Sequence, residues 1–356
     1  MVTEKPVQTQ RVVCLDLLRI TAIAFMMLLH VSASQWSMVP LGGGAWRVFN
    51  AYDSLSRFCV PVLVMLSGVF FLDPGRSQPL KKLLTKNIAR VVVAFGFWSA
   101  AYALYGQYRS VVLQGQAFSA RVLLKNFLLG HYHLWFLYTL VGLYLAVPLL
   151  RKLTESRRLT AYYLTLWFVL CPLAGAAKNI APLRSTVQAV LTKLDANLFL
   201  GFAGYFVLGY FLYHTRLARR WRLLLYAAGA ASVCFTAAAT RWASVAAGEG
   251  VTRWYNYLLP NNLLPAAAVF VLFQYGVSRV EWSPAAQRAI GQVAGLSFGM
   301  YLVHDFVNRR LWELGLTTTC CSPVLAVPLV TLAVFALSLG AAWLLGRVPL
   351  LRRWIM

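Results

Sequence analysis

The chain has 356 residues, of which 60% are hydrophobic and only 12% charged, whereas soluble domains run at about 45–50% apolar and about 25% charged. That excludes a soluble globular protein. The net charge of +23 therefore points to the basic loops of a polytopic membrane protein and not to nucleic-acid binding. The six cysteines, Cys14, Cys59, Cys171, Cys234, Cys320 and Cys321, have no C-x-x-C spacing and no Cys/His metal signature, which excludes a disulfide-framed secreted domain.

A hydrocarbon core of about 30 Å needs about 20 residues to cross it. In chain order, ten apolar segments qualify: 12–33, 54–72, 88–108, 132–150, 159–177, 197–213, 222–240, 256–278, 290–310 and 323–346. The segment at 197–213 is short, and the one at 290–310 carries His304, Asp305 and Asn308. The first is too long and too polar at its ends for a cleaved signal peptide, and no small-residue cleavage site follows it. No soluble domain fits in what remains, so residues 1–356 read as a single integral membrane domain.

Alternate connections differ in charge. One set, including 73–90, 151–158 and 214–222, holds 20 Lys and Arg; the other, including 109–131 and 178–196, holds 9. The positive-inside rule puts the first set in the cytoplasm. The expected fold is all-α, with about ten transmembrane helices and both termini cytoplasmic. There is no 20–50-residue repeat and no matched pair of Gly/Pro-broken helices of the kind many transporters carry. The Ala-rich stretch near 227–239 reads as close helix packing.

Several polar residues are costly in a bilayer. In the first span, LDLLRITAIAFMMLLH, Arg19 and His30 are 11 residues apart, which returns to within about 20° of one helix face with a rise of about 16 Å. Asp16 lies one turn before Arg19 and can pair with it. A helix-centre Arg costs about 2.5–3.5 kcal/mol on insertion scales, so Arg19 must be paired, snorkelling or lining a wet cavity. Arg57, with Asp53 four residues before it, enters the second span at the depth of His30. His131 and His133 stand at the mouth of the fourth span, without a third ligand at zinc spacing. Asn261 and Asn262 lie beside Pro260, and Tyr301, His304 and Asp305 reach the same outer depth in the ninth span. Groups of this kind usually face a shared cavity, and a neutral imidazole there suits general-base work near pH 7. On the cytoplasmic side Arg76, Lys81, Lys82, Lys86 and Arg90 crowd one connection, a charge density suited to a polyphosphorylated ligand.

Four strings carry a resemblance to a known family: LDLLRITAIAFMMLLH, with the spacing R-x10-H between Arg19 and His30; RFCVPVLVMLSG, with Arg57, Pro61, Ser67 and Gly68; HLWFLYTLVGLYLAVPLLR at 133–151; and LSFGMYLVH at 296–304. The chain resembles the acyltransferase 3 family of integral membrane acyltransferases, in particular the bacterial surface-polysaccharide O-acyltransferases, over nearly its whole length. The resemblance implies O-acetyl transfer from cytoplasmic acetyl-CoA, or another acyl-CoA, to a sugar hydroxyl of a surface polysaccharide or its lipid-linked precursor, at the bacterial inner membrane. It implies His30 as the catalytic residue, Arg19 as its essential partner and Arg57 as a third motif position. Beside these, Asp16, Tyr301, His304, His133 and Asn261 are expected at the substrate, and Lys82, Lys86 and Arg90 at the donor nucleotide; no metal and no nucleic acid are expected. Arg57, Tyr301 or His304 would stabilise the oxyanion, and Cys59 offers an acyl-cysteine alternative. Thr21 stands where many members have Gly, and the sequence shows no appended extracytoplasmic domain. The rival class is a transporter or flippase for a lipid-linked sugar or other solute. Proton-coupled carriers generally place carboxylates mid-membrane, whereas here Asp16 and Asp305 lie toward span ends, which favours the enzyme.

Overall fold

A computed structural model describes residues 13–194 and 201–355. The described residues are helical, without strands. The α-helices are α1 (Val13–Ala33), α2 (Gly44–Ser56), α3 (Cys59–Phe71), α4 (Leu80–Lys82), α5 (Ala89–Tyr108), α6 (Ala120–Leu129), α7 (Trp135–Thr154), α8 (Arg157–Phe168), α9 (Ala174–Ala177), α10 (Arg184–Lys193), α11 (Ala203–His214), α12 (Arg219–Ala247), α13 (Pro260–Tyr275), α14 (Pro284–Glu313), α15 (Pro323–Leu345) and α16 (Pro349–Trp354). Only helices satisfy every backbone donor and acceptor within one segment, which is why apolar runs of this length fold this way in lipid.

Among the described residues, eight helical runs are long and apolar enough to cross a membrane. The expected spans at 197–213 and 290–310 are helices but fail that criterion. The first is present as α11, which has 12 residues; residues 197–200 of the expected span lie outside the described residues, as does Val12 of the first span. The second is α14, which has 30 residues and the length to span, but whose polar and charged residues lower its hydropathy. The second expected span is a pair, α2 and α3, separated by Arg57 and Phe58. The outward surface is apolar, with Leu149 74%, Trp242 70% and Leu332 65% exposed, as a lipid-facing surface requires and a water-facing one avoids.

The helix α1 is the hub, packed on α2, α3, α13, α14 and α15. At the crossing of α3 on α11 two glycines let the backbones meet. A Cβ on Gly68 would overlap the carbonyl of Phe206, and one on Gly209 would overlap the backbone of Met65; such small-residue contacts drive helix association where no hydrophobic effect is available. On the basic face, Arg151 at the end of α7 donates from Nη1 to the carbonyls of Phe71 and Asp73, each at 2.9 Å, so this arginine caps the end of α3.

Candidate active site

Two cavities enter α1 and α14 from opposite ends. The larger, about 900 Å³, opens among the basic residues Arg19, Lys86 and Arg90 and runs inward past Tyr144 and Phe298 to Tyr301. Its mouth includes a π-helical stretch, Leu83–Ile88, that carries Lys86. The smaller, about 300 Å³, is at the opposite face and is lined by His30, Tyr132, Asp305, Asn308 and Arg309. So α1 presents Arg19 to one cavity and His30 to the other, the division that their 11-residue spacing sets up.

The partition between the cavities is made of imidazole rings. His30 Nδ1 lies 2.7 Å from His304 Nε2, with the rings stacked at a centroid distance of 4.9 Å. His304 is fully buried, and its Nδ1 lies 2.6 Å from the carbonyl oxygen of Tyr301. A carbonyl can only accept, so His304 Nδ1 donates. With both rings neutral, His304 Nε2 is then the acceptor, and His30 Nδ1 must carry the proton. That leaves the lone pair of His30 on Nε2. The backbone of α14 thus selects the tautomer of a side chain on α1, through one intervening ring.

A second network orders the rim. Asp305 accepts from the Tyr132 hydroxyl at 2.7 Å and from Arg309 Nε at 2.6 Å. Arg309 Nη2 donates to His131 Nε2 at 2.6 Å, which leaves His131 Nδ1 to donate to His133 Nδ1 at 3.0 Å. Tyr132 meets the His30 ring edge-on at a centroid distance of 5.3 Å. His131, His133 and Asp305 have ligand atoms close enough together to hold a metal ion. The third group that the spacing of the histidines lacked is therefore supplied by α14; the cation in contact with His131 and Asp305 is the Arg309 guanidinium.

The expected site residues do not all share one place. Arg19 is 3.8 Å from Asp16, the anticipated pair, and lines the larger cavity with Tyr301, Lys86 and Arg90. Lys82 is exposed and is not among the residues lining that cavity. His133 is buried; its carbonyl accepts from the Tyr301 hydroxyl at 2.7 Å, which links the turn before α7 to α14. Arg57 and Asn261 depart from expectation. Arg57 lies in a third cavity, with Tyr255 and Tyr257. There it is hydrogen-bonded to Asp53 and its guanidinium lies 4.2 Å from the centre of the Tyr255 ring. Its i,i+4 carboxylate and these rings hold it away from the His30 cavity. Asn261 donates to Thr236 Oγ1 at 2.8 Å and to the Trp254 carbonyl at 2.9 Å, and Asn262 donates to the Trp254 and Asn256 carbonyls. Both asparagines fasten the 252–259 loop; neither lines the His30 cavity. Sequence reasoning missed Arg309 and Arg109. The i,i+4 spacing of Asp305 and Arg309 was the available signal.

The helices define a polytopic membrane protein, in which a histidine pair stands between two opposed cavities. The chain belongs to the acyltransferase 3 family: the family model, described as an acyltransferase domain, matches residues 12–347. It is a membrane acyltransferase. Neither a curated protein nor a solved structure matches it.

Proposed function

We propose that the protein transfers an acetyl group from acetyl-CoA, bound from the cytoplasm in the larger cavity, to a carbohydrate hydroxyl in the smaller cavity. The acceptor is a surface polysaccharide or its lipid-linked precursor, and the membrane is the bacterial inner membrane. The observation that carries this reading is the His30–His304 pair between two cavities, the larger of which opens among Arg19, Lys86 and Arg90. Lys86 and Arg90 suit the nucleotide phosphates. The rise of about 16 Å from Arg19 to His30 is of the order of an extended pantetheine arm, so the nucleotide stays at the mouth while the thioester approaches the partition.

In the reaction His30 Nε2 takes the proton of the acceptor hydroxyl as its oxygen attacks the thioester carbonyl. The new C–O bond forms, the C–S bond breaks, and the imidazolium returns the proton to the departing thiolate. His304 holds the His30 tautomer throughout. Arg19 belongs to the donor side of this scheme. Arg57, paired with Asp53 in its own cavity, supports the outer end of α3; Tyr301 is the first candidate at the partition for the oxyanion role, for which its hydroxyl would have to turn from the His133 carbonyl that now takes its one proton.

The test uses membrane vesicles carrying wild type or His30→Ala, with labelled acetyl-CoA on the cytoplasmic face. Label that enters envelope glycans or lipid-linked sugars only when His30 is present supports the proposal and reveals the acceptor. Absence of both transfer and acyl-CoA binding overturns it and leaves the transporter as the better reading.

A further inference from the structure

The smaller cavity has a feature that acetyl transfer to a neutral sugar does not require. Its wall includes Arg109 as well as Arg309, on the face where the charge bias disfavours cations. Arg109 begins a second π-helical stretch, Arg109–Leu113, at the end of α5, and such turns are frequent at functional sites. The other charges around this rim are matched. Asp305 is bonded to Arg309, and Glu313 is bonded to Arg310 at 2.7 Å and to the Tyr105 hydroxyl at 3.0 Å. Arg109 Nε is 3.6 Å from Glu313, too far for a hydrogen bond, and this buried nitrogen has no hydrogen-bond partner. Three guanidiniums therefore share two carboxylates here, and the least satisfied one lines the cavity that His30 also lines. Asn308 and the half-exposed ring of Trp312 line the same cavity, with apolar side chains such as Met38 and Leu316 over much of the rest.

We propose that the acceptor is an acidic sugar unit, whose anionic oxygen substituent, a carboxylate in the first instance, docks on Arg109 and so turns a neighbouring hydroxyl toward His30 Nε2. This rests on the acyl-transfer reading and specifies its substrate class. A planar guanidinium matches a carboxylate through paired N–H donors. The cavity, about 300 Å³, sits at the small end of ligand sites and admits one sugar unit and not a folded oligosaccharide. Arg109 is thus a specificity-determining residue.

The experiment measures diethyl pyrocarbonate modification of His30, read by mass spectrometry of its peptide, on the purified full-length protein at constant ionic strength. The probes are glucuronate, glucose 6-phosphate and glucose. Glucuronate is expected to protect His30 at a concentration at least about tenfold below that of glucose, the size of one charge-assisted contact. Arg109→Gln should erase that difference, and Arg109→Lys should keep part of it. Protection by glucose 6-phosphate alone would assign the substituent as a phosphate. Equal protection by glucose and glucuronate, no protection by any probe, or an unchanged preference in Arg109→Gln would overturn the proposal. If His30-dependent transfer persists in vesicles alongside such a result, the acidic acceptor alone is wrong; if transfer is also absent, the acyl-transfer reading falls with it.

Discussion

Replacing His304 with alanine leaves the base in place and removes what orients it. In the wild type His30 Nδ1 is 2.7 Å from His304 Nε2, which is held as an acceptor by the Tyr301 carbonyl. Truncation strands the His30 Nδ1 proton, and an unpaired interior donor costs about 1–3 kcal/mol, equivalent to about 5- to 150-fold in rate when the cost falls on the proton-transfer step. A further loss comes from the tautomer. Without its acceptor the His30 ring can carry the proton on Nε2, and in that form it is no base; the analogous misassignment in a serine-protease triad costs about 10⁴-fold. We expect kcat to fall about 100-fold or more, with KM for acetyl-CoA nearly unchanged because His304 does not line the donor cavity. His304→Gln, whose amide oxygen can accept the same proton, should recover part of the rate. The His30→Ala/His304→Ala double variant should match His30→Ala alone, since groups acting as a unit are not additive. Initial rates of label transfer in vesicles read all four. A His304→Ala rate within about threefold of wild type, below the smallest loss expected from a stranded donor, would refute the argument, as would a double variant whose loss is the product of the single losses.

Three other outcomes follow from the structure. Gly68→Ala forces a methyl group into the Phe206 carbonyl and should destabilise the protein by about 1–3 kcal/mol or more in thermal unfolding in detergent; Gly142→Ala, where a Cβ meets nothing within 4 Å, should be neutral or slightly stabilising. Lys86→Gln combined with Arg90→Gln should raise KM for acetyl-CoA about tenfold with kcat retained, and the gap should narrow as salt increases. Cys59 is fully buried in the apolar core, so Cys59→Ala should keep transfer within about twofold at a modest stability cost; abolished transfer in a folded variant would instead indicate an acyl-cysteine route.

Hydropathy reports depth well and direction poorly, and the comparison of sequence with structure divides along that line. The apolar runs, their order and the Arg19–His30 alignment were legible because each depends on one helix alone. His304 and Tyr301 were legible because polar residues stand out in an apolar segment. For Arg57 the direction in which the side chain turns is set by neighbours. Asp53 lies four residues before it on the same side, and Tyr255 comes from a loop 198 residues away along the chain. The asparagines beside Pro260 were visible as polar residues, yet their partners are carbonyls of a loop that only the fold brings back. Arg309 and Arg109 were hidden for a different reason: a cation near a helix end ordinarily snorkels; Arg309 carries a local mark in Asp305 four residues before it, whereas nothing local marks Arg109 as turning inward. The same holds for Trp354 of α16, which lines the larger cavity although its segment reads as an ordinary basic tail.

The partition of rings has an electrical consequence. Tyr301 borders one cavity and His30 the other, and the two are joined through His304, one helical turn, about 5 Å, beyond Tyr301. Where water enters a membrane protein from both sides, the insulating layer is only as thick as what remains between the entries. A membrane voltage, worth about 2.3 kcal/mol per elementary charge per 100 mV across the whole bilayer, is then concentrated on these few side chains. In the proposed mechanism the negative charge that develops on the attacked carbonyl and the proton taken by His30 both lie within that drop, so the acyl transfer step would feel the polarity of the membrane that houses it.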